Sequence, residues 1–118
     1  MANAERGEVA LMAGAKEYTL ALSMNAICEM QTRTGRTYGD LLRAMPLDFV
    51  AFRDMVWMAL KRHHAREFAD AASVGRLIDD LPDGHATAAK AMRALLELNA
   101  ERGRVKEGQQ ADPPIAQN

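Results

Sequence analysis

The side chains best able to do chemistry in this chain are the adjacent His63 and His64, the carboxylates Asp79, Asp80 and Asp83, and the single cysteine, Cys28. Histidine is the commonest metal ligand, so the pair is the first place to look for a metal site. Adjacent residues on a helix diverge by about 100°, however, and the two rings would not converge on one ion. No His-Glu-x-x-His or Cys-x-x-Cys spacing accompanies them. They read as helix-end residues that, with Lys61, Arg62 and Arg66, complement the negative end of a helix dipole. His85 stands alone near a helix start. The three aspartates lack the alternate-residue ligand pattern and the closing glutamate of a calcium loop, which leaves a solvated helix end that caps the next helix. Cys28 falls on the apolar side of a predicted helix and reads as a small core residue rather than a nucleophile. Gly35, Gly39, Gly75, Gly84 and Gly103 are scattered and build no phosphate-cradling loop. No metal, no cofactor and no catalytic residue is expected, and the chain reads as something other than an enzyme.

The elements that hold these residues begin with the stretch Leu47 to His64. Asp48 is a good N-cap, and Leu47 and Phe52 are placed to staple the first turn. Phe52, Met55, Val56, Ala59 and Leu60 make one stripe, which Trp57 and Met58 widen. A helix so apolar must be covered on more than one side. It is too short to span a bilayer, and Arg53, Asp54, Lys61 and Arg62 interrupt it, so the cover is expected to be protein.

Before it, the runs Glu8 to Met12 and Glu17 to Leu22 read as a hairpin. Val9 and Leu11 in the first face Tyr18, Leu20 and Leu22 in the second, and such a ribbon needs helices to lie against. Ser23 and Gly35 bracket a first helix whose inward stripe is predicted as Met24, Ile27, Cys28 and Gln31. Thr37 and Asp40 open a short second helix with Leu41, Leu42 and Met45 on its apolar side, and Pro46 stops it. Asp70 caps a fourth, with Val74, Leu77, Ile78 and Leu81 on one face. A last helix is predicted over 85–100, with Ala88, Met92, Leu95, Leu96 and Asn99 inward. Residues 103–118 read as a disordered tail by composition. The fold expected is α+β: an N-terminal β-hairpin packed on a mostly helical domain of about five helices, spanning 1–102.

Composition narrows the partners. Fifteen basic side chains meet 16 acidic ones, a net charge of −1, which supplies no general field for nucleic acid or anionic membrane. The Arg33, Arg36 and Arg43 group and the segment from Lys61 to Arg66 could touch phosphate, yet no aromatic residues alternate with them as a single-strand platform requires. Eight methionines against 5% aromatic residues indicate a core that adapts easily. One cysteine and a polar start with no secretory signal fit a protein that stays in a reducing cytoplasm.

Several segments resemble a known family when taken in order. They are Arg-Gly-Glu-Val-Ala-Leu at 6–11, Tyr-Thr-Leu at 18–20, Asn-Ala-Ile-Cys-Glu-Met at 25–30 with Gly35, and Phe52-Arg53-Asp54. The stretch 57–60, His63-His64 and Gly75-Arg76-Leu77-Ile78-Asp79 complete the set. Over roughly residues 6–81 the chain is similar to the small tail protein of gene transfer agents and related long-tailed prophages, described as a tail assembly chaperone and also as a tail tube protein. Gln31 departs from the pattern, where an acidic residue is expected.

The resemblance implies a protein that binds the tape-measure protein in the host bacterial cytoplasm, assists polymerisation of the tail tube protein around it, and is absent from the mature particle. A structural tail tube subunit and a small helical DNA-binding regulator are the alternatives, and self-association stays open. The contact surface expected from the sequence is the strand edge Glu8, Val9, Ala10, Leu11 and Met12, which could add to a partner strand.

Overall fold

A computed structural model describes residues 2–37, 39, 40, 43 and 48–110, with side chains as far as residue 100. After a 3-10 turn at Ala4–Arg6 come β1 (Glu8–Ala13) and β2 (Lys16–Ala21), then α1 (Met24–Thr34), α2 (Phe49–His64), α3 (Ala71–Asp80) and α4 (His85–Gln110). The architecture is α+β, a two-stranded antiparallel hairpin packed, among the described residues, against helices α1 to α4.

The hairpin turns through Gly14 and Ala15, with Ala13 opposite Lys16. A two-residue loop matches the twist of its strands only with a left-handed first residue, and Gly14 supplies a φ of +65°. Leu11 then pairs with Tyr18 and Val9 with Leu20, so the apolar faces predicted for the two strands coincide. Leu11, Tyr18 and Leu20 are buried.

Helix α2 is the centre of the core. Its N-cap Asp48 accepts the Ala51 N–H at 3.0 Å and is held by Arg36 at 2.7 Å. Phe52, Met55, Val56, Met58, Ala59 and Leu60 are all buried, at roughly 1.5–3 kcal/mol for each large apolar side chain taken out of water. Hairpin strand β2 and helices α1, α3 and α4 share its circumference. The predicted inner faces of α3 and α4 hold: Val74, Ile78, Leu81, Ala88, Met92, Leu95 and Leu96 are buried, with Leu77 packed against them. The backbone of α4 is helical to Gln110, past the predicted end at residue 100.

Caps fall where the sequence places them. Ser23 accepts the Ala26 N–H and Asp70 the Ser73 N–H, while Gly35 closes α1 at φ +70° by donating to Gln31. Thr37 Oγ1 accepts the Asp40 N–H at 3.1 Å and the Asp40 carboxylate accepts the Thr37 N–H at 3.4 Å, the reciprocal pair of a capping box. Gly39, Asp40 and Arg43 are helical. Leu41, Leu42, Met45 and Pro46 of that predicted helix, and the Leu47 staple, lie outside the described residues.

The inner face of α1 differs from the prediction. Met24 is 73% exposed, Cys28 and Gln31 are exposed, and Ile27 is half-buried; the buried pair is Ala26 and Met30. The helix is turned because polar groups beside that pair reach α2. Glu29 meets Lys61 at 3.3 Å, Arg33 meets Asp54 at 3.7 Å, and the Arg33 and Lys61 cations each sit 5.0 Å from the Trp57 ring centroid. Either stripe of α1 is apolar enough to dock, and these cross-helix attractions choose between them.

Two measurements follow from this packing. Leu60→Ala is expected to lower unfolding free energy by about 2–5 kcal/mol, read from urea denaturation. Cys28 is expected to react with a thiol reagent in the native protein as fast as in denaturant; strong native protection would place it in the core after all.

Candidate functional site

On the described surface, unsatisfied backbone and a groove coincide beside β1. A two-residue turn makes Ala13–Lys16, Leu11–Tyr18 and Val9–Leu20 the pairs that exchange ladder hydrogen bonds, and it turns the amides of Glu8, Ala10 and Met12 outward. The Glu8 N–H finds the Asn3 carbonyl at 3.1 Å. Among the described residues nothing reaches the outward amides of Ala10 or Met12. The expected contact edge Glu8 to Met12 thus narrows to two residues. Val9 and Leu11 spend their amides inside the hairpin, and the buried Glu8 serves the fold.

Beside that edge runs a groove of about 510 Å³. One wall is Val9 to Met12; the other is the α4 side, with Asp83, Ala86, Thr87, Lys90, Ala91 and Ala94. Asn99 Nδ2 donates to the Gly7 carbonyl at 3.3 Å. The later part of α4 therefore lies beside the start of β1, and the two elements run antiparallel along the groove.

Strand β2 has no such free edge over its second half, because the end of α2 grips it. The Thr19 N–H donates to His64 Nε2 at 2.9 Å, and the Tyr18 and His64 rings meet edge to face at 5.1 Å. His63 Nε2 donates to Glu8 Oε2 at 3.0 Å. The adjacent histidines diverge as helix geometry requires, one as donor and one as acceptor, and each fastens the hairpin. Behind them Glu67 accepts from Tyr18 Oη and Lys16 Nζ, both at 2.8 Å, and Phe68 packs on Tyr18. These long-range ties were not legible in the sequence, where both histidines read only as complements to a dipole.

Burial lowers the His64 pKa from its ordinary value of 6.5, against the pull of Glu67. Burial of the Glu8 carboxyl pushes upward, but the Asn3 N–H and His63 outweigh it and hold the group below its usual range. The Lys16 and Tyr18 donors hold Glu67 below its usual range too.

The other candidates are dispersed. Among the described residues no group of three or more His, Cys, Asp or Glu side chains could hold a metal ion. Asp79, Asp80 and Asp83 are exposed. His85 stacks edge to face on Phe52 at 4.8 Å and Phe49 at 5.2 Å, in a concavity of about 310 Å³ that also involves Arg53 and Ile78. Phe49 there is 65% exposed and follows closely on residues 44–47, which are outside the description. Arg33, Arg36 and Arg43, the possible phosphate contacts, already face Asp54, Asp48 and Asp40. No helix of the described residues is long and apolar enough to cross a membrane.

Comparison with family models, curated proteins and solved structures returned no match.

The His64 contact gives stability a sign with pH. The unfolded chain takes up a proton on this ring near 6.5, while the folded protein does so only at lower pH. Between those values the unfolded state holds more protons, so stability rises with pH. The contribution is complete above about 6.5 and is lost as pH falls through the lowered folded value. Urea midpoints are expected to drop between pH 7.5 and pH 5, and the His64→Gln variant is expected to start lower and drop less.

Proposed function

We propose that this chain is a non-enzymatic protein-binding module that acts as a tail assembly chaperone of the gene-transfer-agent and long-tailed-prophage type. In this reading it binds the tape-measure protein in the host bacterial cytoplasm and keeps it available while tail tube subunits polymerise. The observation that carries it is the open edge of β1 above a long helical groove, since exposed strand backbone is a ready template for another chain. The ordered resemblance over residues 6–81 supports the same reading and supplies the partner. A two-stranded ribbon also speaks against a tube subunit, which needs a sheet large enough to line a ring.

The test is in two parts. Purified chain is expected to retain a tape-measure protein of such a tail, and mass spectrometry of purified particles is expected to find the tape-measure protein without this chain. Many copies of the chain in the particle would instead make it a tube subunit. Failure to bind tape-measure protein, together with a DNA affinity that falls steeply with salt, would favour the regulator.

A further inference from the structure

We propose that the groove beside β1 is the seat of a third strand, taken by an extended segment of another protein with apolar side chains at every second position. This rests on the protein-binding reading above and specifies the chemistry of the segment held.

A ribbon of two strands is narrower than the helices under it, because strands lie only about 4.8 Å apart. Helix α4 therefore projects beyond the edge of β1, and apart from Lys90 the residues it shows there are small: Ala86, Thr87, Ala91 and Ala94. That is a shelf whose apolar part carries only small side chains, with Lys90 as its one long one. A strand laid against β1 pairs with the N–H and C=O groups of Ala10 and Met12 and sets alternate side chains down on the shelf. Its remaining side chains point to solvent beside the exposed Met12.

Charge selects the segment further. Asp83 and Lys90 are the ionisable residues of the groove. Lys90 lies five residues, about 7.5 Å of helix rise, beyond the start of α4 at His85, and Asp83 lies in the turn before that start, so roughly two to three residues of strand span them. The segment fits best with a basic residue at the Asp83 end and an acidic one near Lys90.

A second copy of this chain fits the seat poorly. Its own β1 would bring its own α4 beneath the same apolar face, and two helices would compete for one space under a continuous sheet. A free extended segment carries no such helix.

The test uses the full chain and a labelled peptide of about ten residues alternating valine with threonine, with one arginine and one glutamate placed as above. Fluorescence anisotropy is expected to show saturable binding, weakened about tenfold or more by Ala10→Pro, which removes an outward amide, and by Ala94→Glu on the shelf. N-methylation of the peptide amides that face β1 is expected to abolish binding, and N-methylation of the alternate set to leave it intact. This last arm needs no protein variant and holds even if Ala10→Pro unfolds. No binding, or binding indifferent to which amides are methylated, overturns the strand seat. If the tape-measure protein is nevertheless retained, the chaperone reading stands with a different contact surface; if that too is lost, both fall. Dimerisation that Ala10→Pro abolishes would assign the edge to a second copy and overturn the proposal.

Discussion

Helix α2 is apolar around nearly its whole girth, and the need to keep it dry organises everything else. A helix with one greasy stripe can float on a core; this one must be enclosed. Val56, Ala59 and Leu60 are fully shielded from solvent, which requires β2, α1, α3 and α4 to close in from different sides. The hairpin, α1 and α3 are too short to be stable by themselves, the hairpin least of all. Their stability is shared through α2.

Polar groups then decide how each element sits. Hydrophobic burial carries little direction, so a helix can dock on the core in several rotations at similar cost. Arg33 with Asp54, and Glu29 with Lys61, remove that freedom for α1. Asp54 lies almost wholly buried at the interface, where a carboxylate is costly unless a cation stands near it. Its contribution is orientation more than stability. His63 and His64 do the same for the hairpin with directional hydrogen bonds to Glu8 and Thr19, and the Trp57 indole N–H donates to the Phe68 carbonyl at 3.0 Å to bring the α2–α3 connection back over the core.

The same constraint explains the asymmetry of the sheet. The edge of β2 must meet α2, so His64 occupies it. The edge of β1 lies toward α4, whose small side chains come near without reaching it. One edge is consumed by the fold and the other is left with open backbone. A small protein that holds an extended client without changing its own core would have this form, with binding energy drawn from backbone pairing and specificity from the shelf beneath.

Local rules were enough to read much of this chain. The hairpin and its facing side chains, the caps Ser23, Asp48 and Asp70, the closing Gly35, and the inner faces of α3 and α4 all follow from periodicity and capping chemistry between near neighbours. The β1 edge was legible as a candidate, because an N-terminal ribbon must end in a free strand. The sequence could not say that Ala10 and Met12 are the residues of β1 whose amides stay open, that α4 lies alongside them, or that α1 hides Ala26 and Met30 while exposing Cys28. Each of these depends on partners tens of residues away: Lys61 for Glu29, Gly7 for Asn99, Thr19 for His64. Periodicity marks which residues can be inside, but only packing around α2 sets the rotation of each helix and the edge left uncovered, because those choices are made by contacts that exist only once the chain has closed on itself.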